Sequence, residues 1–191
     1  MEKKYIGEDE LIQDSFRLGV NIYQSGYRPD FVVGIWRGGS TVGIYVQECL
    51  QYFGVETDHI AIRTSYQGLP SYEKMISGET SIKAHGLQYL LENLNHDDKL
   101  LIVDDVLSSG LSIKTTLEQL RVKTKRNMPK QVKVAVPWYK PSHSQTGIVP
   151  DYYINTTDQW LVLPYELVGL ERAEIFANKP GLQAILESVS K

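Results

Sequence analysis

Ile102-Val103-Asp104-Asp105-Val106-Leu107-Ser108-Ser109-Gly110-Leu111-Ser112 reads as an apolar strand that runs into two acids and then into a hydroxyl-rich turn opening a helix. A helix N-terminus presents backbone N–H groups and the positive end of its dipole, so this turn, with the hydroxyls of Ser108, Ser109 and Ser112, is suited to holding a phosphate. The two carboxylates repel such an anion. They suit vicinal sugar hydroxyls or a hard divalent cation, and together with the turn they describe a phosphorylated sugar. A lone Asp-Asp would be a solvated turn and a lone Ser109 a helix cap; the whole eleven-residue pattern argues for a site.

Outward from this stretch, helices and strands alternate. Residues 99–103, Lys-Leu-Leu-Ile-Val, give a strand buried on both faces, and Ile113, Thr116, Leu117 and Leu120 mark one face of a helix over 111–122. Val132 to Val136 is the next strand, which completes a βαβ unit. Upstream, Glu8, Asp9 and Glu10 open a helix over 9–24 with Leu11, Ile12, Phe16, Val20 and Tyr23 near helical spacing. Phe31 to Trp36 is a buried strand, a second helix covers about 41–53, and His59 to Arg63 is another strand. Residues 64–86 lack a steady period and contain Gly68, Pro70, Gly78 and Gly86, so a long loop of the kind that forms lids is expected there. Short strands near 152–154 and 160–163 and a helix near 181–189 close an α/β domain with a mainly parallel sheet.

Composition narrows the class. The 191 residues suffice for one domain with a substantial core. Lys and Arg number 20 against 23 Asp and Glu, a net charge of -3, so the general basic excess of a nucleic-acid binder is missing. The one cysteine, Cys49, cannot form an internal disulfide and reads as a core thiol; the four histidines are scattered. No apolar run is long enough to cross a membrane, and a cytoplasmic protein is expected. Twelve Tyr and three Trp stand against only four Phe, so aromatics with a polar handle dominate.

The stretch at 102–112 resembles the phosphoribosyl pyrophosphate (PRPP) motif of type I phosphoribosyltransferases, an apolar strand, two acids, three positions and then Thr/Ser-Gly-x-Thr/Ser. Neither a Gly-Lys-Ser/Thr phosphate loop nor a GxGxxG turn competes with it. Ile35-Trp36-Arg37-Gly38-Gly39 is similar to the family's basic-Gly pyrophosphate loop, where glycine lets backbone approach an anion and Arg37 supplies a planar donor fork. The family often holds the peptide after this basic residue in the cis form, which directs attention to Arg37–Gly38. The resemblance implies the type I phosphoribosyltransferase fold with a small base-binding hood, about 138–170, and a lid at about 64–86 within a single domain.

Trp138-Tyr139-Lys140-Pro141, followed by Trp160-Leu161-Val162-Leu163-Pro164-Tyr165-Glu166, resembles the purine branch, the hypoxanthine-guanine and bacterial xanthine-guanine enzymes. That likeness implies that Lys140 reaches purine O6, that Trp160 stacks on the ring and that the Leu161 backbone reads the base edge. It places Glu166 where the family usually has an Asp beside metal and pyrophosphate, and it sets Tyr66 of Arg63-Thr64-Ser65-Tyr66 in the catalytic lid. PRPP would be bound by Arg37, Gly38, Asp104, Asp105, Ser108, Ser109, Gly110, Leu111 and Ser112, and Mg²⁺ by Asp104, Asp105 and Glu166. One departure stands out: the purine enzymes normally place an Asp general acid/base at Ser108, and a serine is a poor proton acceptor at neutral pH.

The resemblance implies a magnesium-dependent transfer of phosphoribosyl from PRPP to N9 of hypoxanthine or guanine, with xanthine a further candidate, in a homodimer or homotetramer. Two alternatives stay open: a PRPP- or nucleotide-sensing regulator on the same fold, which could spare an acid at Ser108, and an enzyme for a different base.

Overall fold

The computed structural model describes residues 3–66 and 82–189. It divides into two compact units, a small one from residues 3–13 and 159–189 and a large one formed by Asp14–Asp158. Thus 159–170 of the expected hood belongs to the small unit and 138–158 to the large one. No helix among the described residues is long and apolar enough to cross a membrane.

In chain order the elements are β1 (Lys3–Tyr5), α1 (Glu8–Gln24), β2 (Phe31–Trp36), α2 (Gly38–Tyr52), β3 (Asp58–Tyr66), β4 (Ile82–His85), α3 (Gln88–Asn93), β5 (Lys99–Val103), β6 (Val106–Leu107), α4 (Leu111–Thr124), β7 (Gln131–Tyr139), β8 (Tyr152–Thr156), β9 (Trp160–Val162), α5 (Arg172–Asn178) and α6 (Leu182–Glu187). The sheet of the large unit has the order β4-β3-β2-β5-β7-β6, with β8 also on β7. All of its pairings are parallel except β3 with β4. Val33, Ile35, Leu100, Ile102, Val134 and Val136 form its core with Ile113 and Leu120 of α4, as continuous apolar strands covered on both faces require. In the small unit β1 pairs in parallel with β9, Lys3 opposite Trp160 and Tyr5 opposite Val162.

Several expectations are corrected. The loop expected over 64–86 begins and ends in strand: β3 continues to Tyr66, and 82–85 forms β4, with Tyr66 opposite Ile82. Each stretch is too short to show alternation, although Thr64, Tyr66 and Ile82 are β-formers. Residues 67–81 of the expected lid lie outside the described residues. In α1 the buried positions are Leu11, Asp14, Ser15, Leu18, Gly19 and Ile22, whereas Phe16 is exposed. Gly19 belongs to this face because α2 comes so close that a Cβ there would lie 2.7 Å from Cys49 Cβ. Cys49 is the buried core thiol expected, its pKa raised by burial. Helix α2 starts three residues earlier than its apolar pattern suggests, at Gly38.

Candidate active site

Parallel strands bring their carboxyl ends to one edge of the sheet, and ligands bind where loops and helix N-termini converge there. Strand β2 delivers Arg37 and the first turn of α2; β5 delivers Asp104 and Asp105; β6 leads into Ser108–Gly110 and α4; β7 delivers Lys140. Adjacent strands β2 and β5 carry the first two groups side by side.

Gly39 joins them. A Cβ on Gly39 would lie 2.4 Å from the Val103 carbonyl oxygen and 2.8 Å from Asp104 Cα, so only glycine lets the first turn of α2 lie against the acid pair. Gly34 serves the same packing from within β2, with Ser40 Cα 2.9 Å from its hypothetical Cβ. Arg37 is exposed and Gly38 buried. The cis peptide bond is Trp36–Arg37, one bond before the position expected. Ser40 Oγ, buried in the first turn of α2, has no hydrogen-bond partner among the described residues.

Asp104 and Asp105 anchor themselves through the backbone: Asp105 N–H donates to Asp104 Oδ1 at 3.0 Å, and Val106 N–H to Asp105 Oδ1 at 2.8 Å. Desolvation, then the charge of Asp105 and a hydrogen bond with its side chain, raise the Asp104 pKa well above the ordinary carboxylate range. A cation or a pair of sugar hydroxyls beside Asp104 relieves that cost. Among the described residues no group of three metal-ligating side chains occurs. Two oxygen donors are what a Mg²⁺ ion needs when water and substrate oxygens fill its other positions, so the pair fits that ion.

The hydroxyl turn is built as its sequence suggests. Gly110 adopts φ +78° at the N-terminus of α4, Leu111 N–H donates to Ser109 Oγ at 3.4 Å, and Thr64 Oγ1 of β3 donates to Ser112 Oγ at 3.4 Å. A second segment, unforeseen in the sequence, lies against it. Lys140 N–H donates to the Leu107 carbonyl at 2.9 Å, Gln145 N–H to the Ser109 carbonyl at 3.0 Å and Thr146 Oγ1 to the same carbonyl at 3.4 Å. The chain from Lys140 to Thr146 thus buttresses the turn. Polar residues in a loop gave no signal of this, because any of them could equally face water.

Lys140 is 5% exposed, and its ammonium has no hydrogen bond with a described residue. Burial lowers its pKa, and the charge of Asp158 opposes that shift. Trp138 beside it is core. The remaining candidates lie in the small unit: Trp160 is 39% exposed on β9, Leu161 is buried, and Glu166 accepts from Leu163 N–H at 3.0 Å across a turn closed by Glu166 N–H to the Leu163 carbonyl, also 3.0 Å. Of Tyr66 only the backbone is described, in β3.

The family model for the phosphoribosyl transferase domain matches residues 8–167. The chain belongs to the phosphoribosyltransferase family. Its reaction class is therefore pentosyl transfer, and its fold is that of the type I enzymes. A purine phosphoribosyltransferase from Pyrococcus horikoshii Ot3 is similar over 90% of this chain and 99% of its own, with TM-score 0.66 and 24% identity. A protein from Neisseria gonorrhoeae solved with bound ppGpp is similar over 92% and 96%, TM-score 0.68, 21% identity. The xanthine-guanine-hypoxanthine phosphoribosyltransferase of Helicobacter pylori is similar over 98% and 100%, TM-score 0.62, 15% identity. No curated protein sequence matches. In phosphoribosyltransferase terms the large unit carries the acid pair, the hydroxyl turn, Arg37 and Lys140, and the small unit carries Trp160, Leu161 and Glu166.

Proposed function

We propose that this phosphoribosyltransferase transfers the 5-phosphoribosyl group of PRPP to N9 of a 6-oxopurine, hypoxanthine or guanine with xanthine a further candidate, releasing pyrophosphate in purine salvage. The observation that carries the base assignment is Lys140, a residue only 5% exposed whose ammonium has no hydrogen bond among the described residues. A buried cation gains most from an acceptor such as a purine O6, and an exocyclic amino group offers none. The structural neighbours from P. horikoshii and H. pylori, a purine and a xanthine-guanine-hypoxanthine phosphoribosyltransferase, support the purine class.

In this reading the 5'-phosphate lies at Ser108, Ser109, Gly110, Leu111 and Ser112, on the N-terminus of α4. Asp104 and Asp105 hold the ribose hydroxyls, directly or through Mg²⁺; Glu166 is assigned to the metal on sequence resemblance alone. Arg37, Gly38 and the first turn of α2 receive the pyrophosphate, and the orphaned Ser40 Oγ fits a polar oxygen there. Mg²⁺, when bound, supplies charge neutralisation on the departing pyrophosphate. Bond breaking leaves positive charge at ribose C1 and negative charge on the leaving group, so catalysis rests on Arg37 and the backbone donors at that group and on alignment of the base. Trp160 and the Leu161 backbone are assigned to the ring and its edge on sequence resemblance, as is Tyr66 to the lid. Ser108 holds phosphate rather than moving a proton, so N7 of the base finds its proton partner elsewhere. The setting is cytoplasmic, and the assembly a homodimer or homotetramer.

The test compares hypoxanthine with adenine in the wild type and in Lys140→Ala. Wild type should prefer hypoxanthine by ~10²-fold or more in kcat/KM, the scale set by leaving a buried donor unpaired, and Lys140→Ala should abolish most of that preference. Equal preference in both proteins sinks the O6 assignment.

A further inference from the structure

Lys179 lies beyond every motif of the sequence, yet among the described residues it is one of the buried cations, 8% exposed. It ends α5, its own N–H donating to the Ile175 carbonyl at 2.8 Å. Its ammonium donates to two consecutive backbone carbonyls, Leu163 and Pro164, each at 2.8 Å. Those carbonyls belong to the turn that follows β9 and carries Glu166. The same Leu163 carbonyl accepts from Glu166 N–H, and Leu163 N–H donates to the Glu166 carboxylate. Pro164 has no N–H to give. Glu166 and Lys179 thus satisfy Leu163 N–H and the carbonyls of Leu163 and Pro164.

Burying an ammonium is costly, and a packed apolar side chain would fill the same space more cheaply. Here the ammonium bonds to backbone, and the charges of Glu166 and Glu8 oppose the lowering of its pKa by burial. α5 itself is tied to β1, the partner strand of β9: Glu174 accepts from Lys3 Nζ at 2.6 Å and from Tyr5 O–H at 3.2 Å. The segment 160–166 is thus held at its start by β1 and at its end by Lys179.

We infer that Lys179 is a positioning residue for the base: by pinning the 163–166 turn it sets the register of the Leu161 backbone and the direction of Glu166. The inference rests on the purine reading above, and it gives the chain after residue 170 a part in the reaction.

Lys179→Met keeps the unbranched stem of the side chain and removes its donors. Two readouts are taken on Lys179→Met and Lys179→Arg. The first is amide hydrogen exchange at Leu163 and Glu166, which reports the turn whatever the enzyme acts on. Exchange there should quicken ~10-fold or more in Lys179→Met, the scale of losing a charge-assisted hydrogen bond, and return close to wild type in Lys179→Arg. The second is steady-state kinetics: the KM for hypoxanthine should rise ~10-fold while kcat and the KM for PRPP change less than ~3-fold, again with rescue by Arg. Unchanged exchange at both amides overturns the pinning. Quickened exchange with an unchanged hypoxanthine KM overturns the role in base positioning. Wild type that turns over no 6-oxopurine removes the purine reading and the base-positioning role with it, while the exchange data still decide the pinning. If Lys179→Met does not fold, Lys179→Gln, whose shorter side chain carries an uncharged amide, gives the same two readouts.

Discussion

Gly39 in the first turn of α2 lies against Asp104 so closely that a Cβ on the glycine would come within 2.8 Å of the aspartate Cα and 3.1 Å of its Oδ1. The loop assigned to pyrophosphate and the acids assigned to ribose are thus one packed object. Gly39→Ala must push backbone against backbone, an overpacking that costs about 1–3 kcal/mol. Its expected signature is a KM for PRPP raised more than the KM for base, measured by steady-state kinetics with a thermal melt alongside. Equal effects on both substrates would show the packing to be structural only.

Gly110 presents the same kind of constraint with a softer neighbour. At φ +78° its Cβ would lie 2.3 Å from Thr146 Oγ1, and a side chain there suffers both the contact and the left-handed backbone. Gly110→Ala should raise the KM for PRPP, and adding Thr146→Ala should recover part of the loss by removing the contact. A double-mutant cycle measures the recovered part, the coupling of the 140–146 segment to the phosphate turn. Strict additivity would remove that coupling.

Asp104 bears a carboxyl that its surroundings disfavour in the ionised form. Asp104→Asn keeps an oxygen for the Asp105 N–H and removes the repulsion, so the ligand-free variant should melt higher, by ~2–4 °C for each kcal/mol gained. The same change should lower kcat/KM by ~10²-fold or more, since charge stabilisation at the reacting centre is lost. A variant both less stable and fully active would contradict the placement of Asp104.

Tyr27 offers a control far from the site. Its hydroxyl donates to the carbonyls of Leu100 at 2.9 Å and Gln131 at 3.2 Å, near the amino ends of β5 and β7, and burial raises its pKa. A phenol whose folded pKa exceeds its unfolded value of about 10 contributes fully below that pH. Above pH 10 the unfolded chain releases the proton first, so stability falls as pH rises. Tyr27→Phe should cost about 1–2 kcal/mol and weaken that alkaline loss, with kinetic constants unchanged. Chemical denaturation at pH 8 and pH 11 checks both.

Sequence and structure agree best where the pattern is long and local. β2, β5 and α4 were legible because a buried parallel strand is a continuous apolar run and the glycine before a helix marks its start. β4, β6 and α3 were not: four, two and six residues carry no period that exceeds chance. The face of α1 was misread because Gly19, the smallest residue on it, is buried by close approach to Cys49, and no hydropathy index registers that. The acid pair and hydroxyl turn were visible as one contiguous motif. Gln145, Thr146 and Lys179 were invisible because their partners are backbone carbonyls distant in sequence, and a carbonyl leaves no mark in the amino-acid code. The aromatic surplus is partly explained: Tyr27 ties two strands together by its hydroxyl, and Lys133 lies over the rings of Tyr27 and Tyr152.

The most direct test of the central claim is PRPP consumption in the presence of Mg²⁺ against hypoxanthine, guanine, xanthine, adenine, uracil and orotate, with the nucleotide product identified by mass. Pyrophosphate release and a monophosphate product are expected with one or more of the three 6-oxopurines and with none of the pyrimidines. Turnover confined to adenine or a pyrimidine would contradict the base assignment, and PRPP binding without turnover of any base would contradict catalysis in favour of a sensor.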